Sequence, residues 1–201
     1  MLDAQVAVFC GVALVLAMTP GPDMALVLRN TLRGGRAAGM RTVAGISVGL
    51  VGWGLATALG VAAVLAASAT VFTILKIAGG IYLVYLGIQT FRALRRGVDP
   101  QPHAERRQGS AFRQGLLTNL LNPKLAVVFT TLLPQFISES DPYVAKAALL
   151  ALLFTAIGLA WLTLYVSIVH LVARSRRFRT TVEAISGAVL VALGLRLVVD
   201  R

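Results

Sequence analysis

The sequence predicts an all-α polytopic membrane protein of about six transmembrane helices, arranged as two inverted three-helix repeats. Three observations predict it. Apolar residues make up 57% of the 201 and charged residues only 13%, whereas a soluble domain carries roughly 25% charged residues. The polar surface is too small to coat a globule in water. Six apolar stretches come near the length of about 20 residues that a helix needs to cross a bilayer core. The basic residues collect in alternate gaps between those stretches, the pattern that sets orientation in membranes.

The first stretch, 4–28, is expected to be a retained span, because no basic residue precedes Arg29 and a cleavable leader opens on positive charge. The second covers 42–65 and the third 69–91, leaving only Ala66, Ala67 and Ser68 for a tight turn between them. The fourth covers 115–137, the fifth 144–172 and the sixth 181–199. Arg29, Arg33, Arg36 and Arg41 fill the gap after the first stretch. Arg92, Arg95, Arg96, Arg106, Arg107 and Arg113 fill the gap after the third, and Arg174, Arg176, Arg177 and Arg179 that after the fifth. The gap after the second holds no charge, and that after the fourth holds Glu139, Asp141 and, at its edge, Lys146. Basic loops stay in the cytoplasm, so both termini are expected outside.

The segment 97–110, with Pro100 and Pro102, reads as a cytoplasmic linker between halves 1–96 and 111–201 of a single transporter domain. The halves look alike. Pro22-Asp23-Met24-Ala25-Leu26-Val27 parallels Pro123-Lys124-Leu125-Ala126-Val127-Val128. Gly80, Leu83, Val84, Leu86 and Gly87 parallel Gly187, Leu190, Val191, Leu193 and Gly194. Three spans per half is an odd number, so the halves would insert with opposite topology, a signature of secondary transporters.

A net charge of +11 raises nucleic acid as a partner, but short arginine clusters between apolar runs, without interleaved aromatics, fit membrane orientation instead. One cysteine, Cys10, and two distant histidines, His103 and His170, offer no metal-ligand spacing. No cofactor is expected.

The sharpest local feature is Thr19-Pro20-Gly21-Pro22-Asp23 inside the first apolar run. Pro20 and Pro22 each remove a backbone donor and disfavour helix in the residue before them, and Gly21 adds freedom. The span must break there, and broken backbone at membrane depth survives only where protein buries it or it lines a cavity. Asp23 then stands near the N-terminus of a half-helix, either as a cap or as a group for binding or proton transfer. The fourth stretch carries the counterpart, Asn119-Leu120-Leu121-Asn122-Pro123-Lys124. Pro123 should kink it, and Asn119 and Asn122, three apart, should share a helix face. Lys124 either snorkels to the cytoplasmic headgroups or faces a central cavity with Asp23. One carboxylate and one ammonium would suit a zwitterionic amino acid. Centring each span by its apolar length places both breaks toward the cytoplasmic side, which strict inversion would not.

Gly45-Ile46-Ser47-Val48-Gly49 matches the nucleophile-elbow pattern and, with His170, raises an intramembrane serine hydrolase. No strand precedes it, and Gly45, Gly49 and Gly52 suit close helix packing instead. A non-transporting membrane assembly protein is the other alternative.

At Thr19-Pro20-Gly21-Pro22, at 76–87, and at Phe112, Gly115, Asn119, Asn122-Pro123-Lys124 and Pro134-Gln135-Phe136, the chain resembles the LysE/RhtB family of amino-acid exporters. The resemblance covers essentially the whole chain. It implies a six-span inner-membrane exporter of amino acids or their derivatives, driven by the proton gradient, and the reading of the two breaks adds Asp23, Asn119, Asn122 and Lys124 as the residues expected to bind and couple by proton antiport. A second copy of the chain is an optional partner, membrane lipid a necessary one. No nucleotide loop of the Gly-x-x-x-x-Gly-Lys-[Ser/Thr] type is present to supply another energy source.

Overall fold

The computed structural model describes residues 4–60, 68–95, 108–138, 140–172 and 176–199. They are helical almost throughout and contain no strand. In chain order, α1 is Ala4–Met18, α2 is Pro22–Ala58, α3 is Ala69–Arg95 and α4 is Gln108–Leu120. Next, α5 is Pro123–Val127, continued by a π turn at Val128–Leu132 and a 3-10 turn at Leu133–Phe136. The last two helices are α6, Tyr143–Val172, and α7, Arg176–Val199. The expected turn at 66–67 and most of the expected linker lie outside the described residues.

Two helices, α6 and the Thr73–Arg92 part of α3, are unbroken, apolar and long enough to cross a membrane. Two bent pairs add one candidate span each: α1 with α2, bent by 52°, and α4 with the run beginning at α5, bent by 49°. Large aliphatic side chains stand outward along these helices, among them Leu55 at 59%, Ile74 at 62% and Leu152 at 63% exposure. Lipid, not water, is the solvent for such a surface.

Helix α2 is itself two limbs. Gly35 has φ 69° and ψ −169°, a backbone that a Cβ would strain, and it folds 22–34 back against 36–58. Asn30 Nδ2 donates to Thr42 Oγ1 at 2.9 Å across that hairpin, and Gly39 lies directly against Thr31. The far limb stops at Leu59, where Gly60 at φ 74° donates its N–H to Thr57 O at 3.0 Å, a glycine-terminated helix end.

Close backbone approaches fix the direction of each helix against its neighbours. Thr42 meets Gly115 and Gly49 meets Asn119, so the far limb of α2 runs parallel to α4. Gly39 meets Val166 and Gly54 meets Ala151, so the same limb runs antiparallel to α6. Between α3 and α7 the contacts are reciprocal. A Cβ on Gly194 would stand 2.5 Å from Gly80 O and 2.9 Å from Val84 N. One on Gly87 would stand 2.8 Å from Gly187 O and 3.1 Å from Val191 N. Gly80, Val84 and Gly87 match Gly187, Val191 and Gly194 in the sequence, so each contact maps onto the other, as about a two-fold axis.

The main core joins α1, α2, α5 and α6. Its centre is aromatic: Phe9 packs edge-on to Phe136 at 5.2 Å, Phe129 edge-on to Phe154 at 5.4 Å, and Trp53 stacks on Phe129 at 6.4 Å. A smaller core of Ala25, Leu26, Leu83, Leu86 and Leu190 ties the first limb of α2 to α3 and α7.

Two sequence expectations are corrected here. Arg29 is not in a loop: it sits on the first limb of α2 and is 2% exposed. It donates to Thr90 Oγ1 on α3 and, at 3.3 Å, to Gln114 Oε1 on α4. The first bent pair therefore extends to Gly34, and the fourth begins at Gln108 rather than Gly115, so each break falls near the middle of its pair. Lys146, expected at a loop edge, is fully buried on α6 and pairs with Asp141 at 3.5 Å.

Candidate functional site

Both breaks form where the sequence removes backbone donors. α1 ends at Met18, with Thr19 N–H still bonded to Val15 O at 3.0 Å. Gly21 is extended at φ −168°, and α2 starts with Pro22 as its first residue, where a missing N–H costs least. α4 ends at Leu120, and α5 starts with Pro123 in the same position. There the cap is a side chain: Asn122 Oδ1 accepts from Lys124 N at 3.1 Å.

The two breaks meet. Asn119 Nδ2, in the last turn of α4, donates to Asp23 Oδ2 at 3.0 Å. Lys124 Nζ donates to Leu16 O at 2.7 Å and to Thr19 O at 3.3 Å, at the end of α1. The second helical residue of each new helix thus reaches the end of the other half's first helix. Lys124 is held by the C-terminal carbonyls of α1, where a cation is favoured.

This meeting corrects two expectations. Asn119 and Asn122 do not share a helix face, because the break falls between them; both side chains still stand beside Asp23, and Asn122 also caps α5. Asp23 does not cap α2; Gly21 holds the cap position, and no side-chain cap bond forms there. Asp23 Oδ1 is buried and has no hydrogen-bond partner among the described residues.

A cavity of about 50 Å³ opens at the crossing, room for a few water molecules. Asp23, Asn122, Lys124, Thr19 and Gly21 line it around the breaks, together with Leu16 and Ala17 of α1. Ile46 and Leu50 of α2, Phe154, Gly158 and Leu162 of α6, and Met24 and Leu125 complete the lining. Asp23 and Lys124 therefore border one space. Asn119 lies behind it, pressed against Gly49.

The sequence reading missed a second polar layer, about two helical turns from Asp23 toward the Gly35 turn. Arg29 and Asn30 on α2 converge with Thr42, Thr90 and Gln114; Asn30 Nδ2 donates to Gln114 Oε1 at 3.1 Å. The available signal was Arg29-Asn30 continuing the apolar run 24–28 without a turn residue.

The hydrolase pattern is plain helix. Ser47 Oγ donates to Val43 O at 3.0 Å. Gly45 lies against the backbone of Phe112, and Gly49 against Asn119. The glycines of the pattern are packing residues, although Gly52 is only in loose contact with Leu120.

Two broken helices cross beside a small, mostly apolar cavity bordered by Asp23 and Lys124, inside a bundle of apolar helices, as in a multi-pass membrane protein. The chain belongs to the LysE family: the model for LysE type translocators matches residues 14–201. It is 32% identical over 197 residues to "Uncharacterized membrane protein YrhP" of Bacillus subtilis, covering 92% of this chain and 94% of the relative. It is 32% identical to the "Threonine efflux protein" of Salmonella typhimurium over 94% of this chain and 95% of the relative. With the "Homoserine/homoserine lactone efflux protein" of Salmonella typhi it shares 32% identity over 79% and 77%. No solved structure matches.

Proposed function

We propose that this protein exports amino acids or their derivatives across a cell inner membrane by proton antiport, binding the solute where the two broken helices cross. The observation that carries the reading is the shared cavity of Asp23 and Lys124. Asp23 Oδ1 is a buried acceptor without a partner, and leaving such a group unmade costs about 1–3 kcal/mol; an α-ammonium supplies the missing donor. Lys124 Nζ exchanges its carbonyl contacts for the α-carboxylate. Asn119 holds Asp23 in place, Asn122 holds the start of α5, and Pro20, Gly21, Pro22 and Pro123 keep both helices open. The efflux of threonine and homoserine by relatives supports this chemistry.

The architecture we propose is six crossings in two inverted halves, 1–96 and 111–201, joined by the linker 97–110 on the cytoplasmic side, with both termini outside. The parallel course of the far limb of α2 with α4 and its antiparallel course with α6, the reciprocal glycines of α3 and α7, and the placement of the arginines support it. The layer around Arg29 then lies between the cavity and the cytoplasm and closes the inner side in this conformation. Asp23 carries the proton: protonation from outside releases the ammonium, deprotonation inside restores the acceptor, and the halves rock about the fixed site.

In proteoliposomes preloaded with labelled amino acid, Asp23→Asn is expected to abolish accumulation driven by a pH gradient while retaining exchange of solute for solute. Gradient-driven transport equal to the parent's would remove Asp23 from the coupling.

A further inference from the structure

We infer that the solute is an amino acid with a small, purely apolar side chain, taken in preference to a hydroxylated one of the same size. The inference rests on the amino-acid reading of the site above. All the hydrogen-bonding groups of the cavity lie on the side of the breaks. The wall contributed by the far limb of α2 and by α6, made of Ile46, Leu50, Phe154, Gly158 and Leu162, offers no side-chain donor or acceptor. On the polar side, the Thr19 hydroxyl is already bonded to Val15 O at 2.8 Å.

A zwitterion held at both ends by Asp23 and Lys124 turns its remaining substituent toward that wall. A hydroxyl there loses its water and finds no partner, whereas an isosteric methyl loses nothing. Gly158 decides the room available. A Cβ there would meet only Leu50, at 3.5 Å, an ordinary contact, so the glycine is not required by packing and instead leaves cavity space. The cavity as a whole is small, about 50 Å³, which favours a short side chain over a long one.

Valine and threonine make the test, since they differ only by methyl against hydroxyl. A hydrophobic pocket rejects the added hydroxyl by at most about a hundredfold. In counterflow with labelled valine and labelled threonine on the reconstituted full chain, valine is expected to half-saturate at a concentration about 10–100-fold lower. Gly158→Ser places a hydroxyl on the wall without steric conflict and should narrow that ratio severalfold, while Gly158→Ala should keep the preference for valine. Threonine handled as well as valine would overturn the apolar wall and leave the amino-acid reading standing. Transport of neither would overturn the amino-acid reading itself, and a ratio unmoved by Gly158→Ser would place the side chain elsewhere and overturn the inference.

Discussion

The two breaks share a geometry and differ in charge. Each follows a helix that stops short of a proline, each restarts with that proline as first residue, and the bends are 52° and 49°. At the first, the second residue of the new helix is Asp23; at the second it is Lys124. An acid there is favoured by its own helix, because the free N–H groups and the dipole attract negative charge. A lysine is not. Lys124 is stabilised instead from the other half, by the carbonyls of Leu16 and Thr19. The caps differ as well: Asn122 fixes the second break with its side chain, while Gly21 leaves the first without one. The comparison teaches that matching backbone chemistry sets two helix ends face to face, and that the charges then divide the work. Asp23 keeps a buried oxygen without a partner, and Lys124 ties the start of α5 to the end of α1.

The largest effect expected from disturbing this pair, beyond the loss of coupling in Asp23→Asn, comes from Lys124→Met. It removes the cation and leaves the α1 carbonyls without their donor. Hydrogen bonds to charged groups contribute about 1.5–3 kcal/mol, so apparent affinity for the free amino acid should fall roughly 10–100-fold in counterflow. Affinity for the corresponding amide should change little; an equal loss for both would show that Lys124 only braces the break. A smaller effect is expected from Gly49→Ala. Its Cβ would overlap the Asn119 side chain, pushing it off Asp23, and overpacking of this kind costs about 1–3 kcal/mol. Initial export rates should drop about tenfold at equal expression, and a rate like the parent's would mean that the Asn119 contact does not matter. The smallest belongs to the cap. Asn122→Ala should cost about 1 kcal/mol and lower the apparent Tm in detergent by about 2–4 °C. An unchanged melting curve would make the second break as independent of its cap as the first.

Much of this molecule follows from properties that belong to single residues or short windows. Proline lacks an N–H wherever it stands, so the breaks at Pro20–Pro22 and Pro123 were legible in the chain, as were most of the apolar helices. The matched glycines of α3 and α7 were visible as a pattern, and their close packing follows from having no Cβ. Other features depend on partners far away in the chain. A hydropathy reading treats Arg29 and Lys146 as wet because each is charged. The fold buries Arg29 because Thr90 and Gln114, 61 and 85 residues away, arrive as acceptors, and buries Lys146 because Asp141 is turned toward it. With Arg29 inside a helix, each break stands near the middle of its bent pair. That Asn122, beside Asp23 like Asn119, also spends its carbonyl on its own helix was decided only by packing, since the two amides are chemically identical and only the crossing of two helices gives them different neighbours.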